Sequence, residues 1–195
     1  MVRALSRLLT VAGFTVREFT SARRFLEHAE LEHPCCAVLD LCMPDCSGLQ
    51  IQAELVELQI ECPIIFLTGH ADVALSVEAM KGGAMDFFMK PVDADALIDA
   101  VNGALRRHSL GLAVRDEVAS LWDRWRSLTP REQEVFRLVV AGRLNKEIAA
   151  SLGTVEKTIK VHRGRAMRKM HARRVTDLVR MADKLRDVTP NELCC

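Results

Sequence analysis

The sequence predicts a two-part fold, a doubly wound α/β domain with a parallel sheet followed by an all-α domain of four helices around a helix-turn-helix. Three observations predict it. Over the first half of the chain, short apolar runs alternate strictly with helical patterns, as in a parallel sheet covered by helices. Near residues 145–170 a short helix, a three-residue turn and a longer amphipathic helix follow one another. The charge is also divided: residues 1–110 carry 9 Lys/Arg against 15 Asp/Glu, and residues 111–195 carry 18 against 11. An acidic half joined to a basic half suggests a control domain attached to a nucleic-acid binder.

Each element has its own signal. Val2, Leu5, Leu8, Leu9 and Ala12 follow helical spacing, and Gly13 ends that helix. Phe14 to Phe19 reads as a strand, and Ser21 opens a helix carrying Phe25 and Leu26. Cys36 to Leu39, closed by Asp40, and Pro63 to Leu67 are short apolar runs, as expected of strands buried on both faces. Leu49 to Leu58 and Asp72 to Lys81 read as helices, Ala84 to Met89 as a strand. Asp93 caps a helix running to about Arg107. Ser109 to Ser127 reads as a charged linker, partly helical from Ala113, whose Trp122 and Trp125 make a domain or dimer contact. The expected division is a first domain over 1–108, a linker over 109–127 and a second domain over 128–190.

Composition excludes several classes. No apolar run approaches the 18 or so residues of a membrane span, and the amphipathic N-terminus is not a signal peptide, so the expected compartment is the cytoplasm. Cys35, Cys36, Cys42, Cys46, Cys62, Cys194 and Cys195 show no CxxC pair and no accompanying His spacing, which argues against zinc. Free thiols are the simplest reading in that compartment, with redox sensing at the loop flanked by Cys42 and Cys46 the alternative. Cys194-Cys195 does not form a prenylation box.

Asp40, Thr68 and Lys90 all fall at carboxyl ends of strands, where sites in such sheets lie. Asp40 could act as a nucleophile toward phosphorus, Lys90 could neutralise a phosphoryl group and Thr68 could donate to its oxygen. Singly, each also reads as an ordinary strand-end polar residue. Together, Asp40-Leu41-Cys42-Met43-Pro44 with Gly48, then Thr68-Gly69-His70, then Lys90-Pro91, resembles the receiver domain of FixJ-type two-component response regulators, over roughly Met1 to Arg107. The resemblance implies a flavodoxin-like, CheY-type sheet with Asp40 as phosphoacceptor, Thr68 as switch hydroxyl, Phe87 as switch aromatic and Lys90 on the phosphate. It further implies a cis Lys90-Pro91 bond, a sensor histidine kinase as phosphodonor, and Mg²⁺ held in part by Asp40 and the Cys42 backbone carbonyl.

The second half is organised around Val155 to Met170. At about 100° per residue, Val155, Ile159, His162, Ala166 and Met170 share one face. Lys157, Lys160, Val161, Gly164 and Arg168 point roughly half a turn away, a narrow cationic stripe that suits a DNA major groove. Asn145 can cap the preceding helix, Lys146 to Leu152, Gly153 frees the turn, and Thr154 can accept from the open N–H groups of the next helix. Leu128-Thr129-Pro130-Arg131-Glu132, Asn145-Lys146-Glu147-Ile148-Ala149 and Thr158-Ile159-Lys160-Val161-His162 resemble the LuxR/FixJ family of DNA-binding domains, from about Leu128 to Leu185. Lys160, Val161 and Lys157 are expected at base edges, a lysine suiting guanine and a valine the thymine methyl. Thr158, Arg163, Arg165 and Lys169 are expected near phosphates, and Gly164 would admit close approach or water. Val175, Leu178, Val179, Ala182 and Leu185 form an apolar stripe that either packs onto Phe136 and Val139 or forms a homodimer seam.

The chain departs from the receiver pattern at its start. Receivers open with a strand ending in acidic residues, whereas Met1 already lies inside the first helix. In the strand order 2-1-3-4-5 the missing strand would sit between Phe14–Phe19 and Cys36–Asp40. Unpaired buried backbone groups cost about 1–3 kcal/mol each, against a total stability of about 5–15 kcal/mol. Without the acid pair, Asp40 and the Cys42 carbonyl leave Mg²⁺ coordination incomplete, and the family gives Asp45 no such role. Two accounts stay open, an earlier true start or a truncated, degenerate receiver. The reading is a non-enzymatic transcription regulator binding double-stranded DNA as a homodimer, with RNA polymerase a candidate partner. The alternatives are a phosphorylation-independent regulator or interaction module, a quorum-sensing regulator, which would carry a ligand pocket instead, and an aspartyl phosphatase, which would want Asp where Cys42 stands.

Overall fold

The computed structural model describes residues 2–27, 34–43, 46–69 and 73–188. The readings placed on Met1, Pro44, Asp45, His70, Asp72, Cys194 and Cys195 lie outside these residues. The chain divides into two compact units, Met1–Leu112 and Ala113–Cys195.

In the first unit, β1 (Ala37–Asp40), β2 (Ile64–Thr68) and β3 (Asp86–Met89) form a parallel sheet in the order β1-β2-β3, pairing Ala37 with Ile64 and Ile65 with Asp86. β2 is buried at all five positions, as its unbroken apolar run requires of a strand covered on both faces. One face packs Ala37, Ile51, Leu55, Ile64 and Phe66. The other packs Ile65, Leu67, Leu97, Val101 and Leu9. The covering helices are α1 (Val2–Val11), α2 (Ala22–Glu27), α3 (Gly48–Glu57), α4 (Val73–Lys81) and the first part of α5 (Ala94–Arg126).

Two expectations need correction here. Phe14 to Phe19 belongs to no strand. A strand needs a neighbour about 4.8 Å away to complete its ladder, and among the described residues none lies between this segment and β1. The alternation survives without the ladder, because Phe14 and Val16 still pack against the core of Leu9, Ile65 and Leu97. The second correction concerns the linker. α5 is one helix of 33 residues, so Ser109, Leu110, Gly111 and Leu112 are helical and the unit boundary falls within it. Asp93 does cap its start, its carboxylate accepting from the Ala96 N–H at 2.9 Å.

The second unit packs the end of α5 with α6 (Pro130–Val140), α7 (Asn145–Ser151), α8 (Glu156–Lys169) and α9 (Val175–Val188). Trp122 and Trp125 are buried in its core, Trp125 edge-on to Phe136 with centroids 5.0 Å apart. They serve this unit's own packing. α6 begins with a capping box: the Thr129 hydroxyl accepts from the Glu132 N–H and the Glu132 carboxylate accepts from the Thr129 N–H. Leu178, Ala182 and Leu185 of α9 close the same core with Phe136 and Val139, so most of the α9 stripe is consumed by packing.

Candidate functional site

The first candidate site stands at the carboxyl ends of the strands. Lys90 Nζ lies 2.6 Å from Asp40 Oδ2, and Asp40 Oδ1 accepts from the Cys42 N–H at 3.2 Å. Thr68, the last residue of β2, is buried, and its carbonyl accepts from the Lys90 N–H at 2.8 Å. Asp40, Thr68 and Lys90 are thus brought together on adjacent strands, and the Lys90-Pro91 bond is cis, as expected. Phe87, half-buried, packs inward against the face holding Ile51 and Phe66. Gly48 has a steric reason that the motif alone does not give. A Cβ there would stand 2.7 Å from the Asp40 carbonyl oxygen and 2.8 Å from the Phe66 ring. The loop after β1 can therefore close onto the strand end only with glycine at that position, and the Gly48 N–H donates to Leu41 O at 3.0 Å.

The described residues do not fit Mg²⁺ well. The ion wants about six oxygens in near-octahedral order, while Asp40 and the Cys42 carbonyl offer few, and Lys90 already occupies one carboxylate oxygen. Among the described residues, no group of three His, Cys, Asp or Glu is placed to hold a metal.

The second candidate site is the outer face of α8. Lys157, Lys160, Val161, Gly164, Arg165 and Arg168 are exposed, while Ile159, Ala166 and Met170 are buried. The two stripes fall where the 3.6-residue period puts them. Thr158 and His162 are half-buried at the edges. Lys160 pairs with Glu156 one turn back at 3.1 Å, both side chains largely in solvent. Gly164 faces open space, where a Cβ would meet nothing within 4 Å; no contact inside the unit requires glycine there.

Four details of the sequence reading are corrected. Val155 is not on the buried face; it is 64% exposed and occupies the N-cap. Thr154 therefore does not cap α8, and its N–H donates to Ala149 O. Asn145 is the first residue of α7 rather than its cap, and its side-chain oxygen accepts from Arg163 Nη1 at 2.9 Å, tying α7 to α8. Lys169 faces inward: its Nζ lies 2.6 Å from Glu132 and 2.9 Å from the Ser127 carbonyl oxygen. Burial alone would push Glu132 upward, but hydrogen bonds from Lys169 and from Thr129 outweigh it and hold the carboxyl below its usual range. The Ser/Thr-x-x-Glu signature at Thr129 was the available sign that Glu132 is spoken for; nothing local pointed to Lys169 as its partner.

Comparison with known proteins agrees with both halves. Residues 1–102 match the profile of the response regulator receiver domain, and residues 126–182 that of the bacterial regulatory proteins of the luxR family. This chain belongs to the response regulators. It is 44% identical to Nodulation protein W of Bradyrhizobium diazoefficiens over 95% of this chain and 82% of that protein. It is 40% identical to the transcriptional regulatory protein FixJ of Rhizobium meliloti, over 92% and 88% of the two chains. The solved structure of the response regulator StyR, 40% identical, superposes with a TM-score of 0.87 over 94% of this chain and 93% of that one. This response regulator thus combines a receiver with a LuxR-type DNA-binding domain, the plan of a two-component transcription regulator. Among the described residues no helix is long and apolar enough to cross a membrane.

Proposed function

We propose that phosphoryl transfer to Asp40 governs how the second domain engages DNA, with the exposed stripe of α8 in the major groove of double-stranded DNA. The observation that carries the first part is the 2.6 Å contact of Lys90 Nζ with Asp40 Oδ2 beside buried Thr68. An Asp40 oxygen attacks the phosphorus of a kinase phosphohistidine, the P–N bond breaks, and the imidazole keeps the electron pair. The Lys90 ammonium then balances the added charge. Thr68 as donor to the new oxygens, with Phe87 packed behind the same strand ends, forms the switch. The described residues leave Mg²⁺ poorly held, so no step is assigned to it.

On the DNA side, Lys157, Lys160 and Val161 approach base edges, and Thr158, Arg165 and Arg168 approach phosphates. Gly164 leaves the helix bare where it comes closest. Arg163 and Lys169 also hold α8 in place, Arg163 Nη1 donating to Asn145 and Lys169 Nζ to Glu132 and the Ser127 carbonyl, which leaves the other guanidinium N–H groups of Arg163 for a phosphate. A homodimer on paired half-sites suits this docking mode, with half-buried Val179 the part of the α9 stripe left for a partner, since Val175 packs against the core. RNA polymerase is the partner that an activator of this plan would meet.

The test is the intact mass of the chain after exposure to a small phosphodonor, beside Asp40→Asn. One phosphoryl adduct lost in the variant is expected. Absence of an adduct favours the second reading, a receiver that regulates without phosphate. One observation supports that reading: among the described residues no group of three His, Cys, Asp or Glu is placed to hold the metal that phosphoryl transfer to Asp40 would use.

A further inference from the structure

The amino ends of β1 and β2, at the far end of these strands from Asp40, carry a second group of reactive side chains. Cys35 and Cys62 each stand two positions ahead of the paired residues Ala37 and Ile64. The Ala37 N–H donates to Pro63 O at 2.9 Å, so the pairing extends to this end. By the two-residue period both thiols then project to the face shared by Ala37 and Ile64, and their Sγ atoms lie 3.7 Å apart. His108 of α5 reaches the same point and is only 4% exposed. Its Nδ1 accepts from the Cys35 N–H at 2.9 Å, lies 3.4 Å from Cys35 Sγ and stands 3.2 Å from the Cys35 carbonyl oxygen, to which it can donate once it gives up the N–H bond and holds the thiol proton.

We infer that Cys35 and Cys62 form a peroxide-reactive dithiol, an oxidative modification site in which His108 takes the Cys35 proton and Cys62 closes a disulfide. Backbone spacing allows the bond: neighbouring strands run about 4.8 Å apart, inside the roughly 4.4–6.8 Å Cα separation of disulfides. The sulfurs need only swing toward each other by side-chain rotation. Of the thiols here, Cys35 is the one set up to ionise, because the hydrogen bond it shares with Cys62 holds it below the ordinary cysteine value despite burial. The same hydrogen bond, with burial, pushes Cys62 up, so it stays protonated. Cys36, which packs on the opposite face of the sheet, is pushed up to about 12, by burial first and by Cys35 second.

The chemistry balances. The Cys35 thiolate attacks one oxygen of hydrogen peroxide, the O–O bond breaks, and the departing hydroxide takes the proton held on His108 and leaves as water. Cys35 is then a sulfenic acid, oxidised by two electrons. The Cys62 sulfur attacks the Cys35 sulfur, the S–S bond forms, the S–O bond breaks, and the departing oxygen leaves with the Cys62 proton as a second water. The two thiols together lose two electrons and two protons, and one peroxide becomes two waters.

The test oxidises the reduced full chain with one equivalent of hydrogen peroxide, blocks remaining thiols by alkylation and maps the digest by mass spectrometry. The first cross-link expected is Cys35–Cys62, with Cys36 and the exposed Cys42 still alkylated. In Cys62→Ser, which keeps a hydrogen-bonding group beside Cys35 but removes the second thiol, the oxidation should stop at a Cys35 sulfenic acid that dimedone traps, and His108→Gln should slow the reaction while leaving its product unchanged. A first disulfide through Cys42 or Cys46 would overturn the proposal. So would a wild-type digest in which Cys35 is modified no faster than Cys42 and no cross-link forms, an outcome read without any variant.

Discussion

Lys160 and Lys169 stand on the same helix in different surroundings, and the difference sets what each substitution does. Lys160 is 65% exposed at its side chain and bonded only to Glu156 on its own helix, a contact worth about 0.3–0.5 kcal/mol in solvent. Lys160→Ala should leave stability nearly unchanged and cost about 1–3 kcal/mol on the preferred site with relaxed specificity. Equal losses on preferred and random DNA, measured by titration of labelled duplexes, would remove it from base contact. Lys169→Ala should instead act on the fold, because it strips Glu132 of its cation. Glu132 also carries a pH dependence with a definite sign. Its carboxyl is held below the usual range, so its stabilising contribution is complete above the unfolded value of about 4.3. That contribution fades as pH falls through the lower folded value. Glu132→Gln should destabilise the second domain by about 1–3 kcal/mol at neutral pH. The gap between variant and wild type should narrow as denaturant melts are repeated toward pH 3; a constant gap would mean the charge is not what matters.

At the level of elements, the strand–helix alternation and the two stripes of α8 were legible because each depends on local periodicity that tertiary packing then used. What escaped reading depended on partners distant in sequence. Phe14 to Phe19 has the alternation of a strand, but a strand is a relation between two segments, and no ladder partner flanks it among the described residues. Ser109 to Leu112 carries Gly111 and is followed by the charges of Arg115, Asp116 and Glu117, which read as a break. The helix on both sides carries it through, at a cost of about 1 kcal/mol for the glycine. Asn145 looked like a cap and is a tether for Arg163, a contact across 18 residues. The three strand-end residues were legible because fold topology fixes where such ends meet, whereas the Lys169–Glu132 pair needed the packing of α8 on α6. α9 offers a direct check of packing against association. Leu185→Ala should cost about 2–5 kcal/mol, since Leu185 is fully buried beside Leu178 and Ala182. Val179→Asp should leave the thermal melt close to wild type and weaken self-association in sedimentation. A large drop in melting temperature for Val179→Asp would place that residue in the core and leave the seam without support.

At the scale of the molecule, the split of charge follows the division into an acidic receiver and a basic DNA-binding domain. Each domain has its own core, so each can be perturbed separately. That independence makes coupling between them measurable: under the proposed control, a change made at Asp40 alters DNA affinity by shifting the second domain between states of different affinity. The most direct measurement is the DNA affinity of the full chain before and after treatment with a small phosphodonor, at fixed salt, with Asp40→Asn alongside. Affinity for a selected site should rise on treatment by a factor within about 5–150, and the variant should stay at the untreated value. Equal affinities before and after treatment, in a chain whose mass shows the phosphoryl group, would contradict control of DNA binding through Asp40.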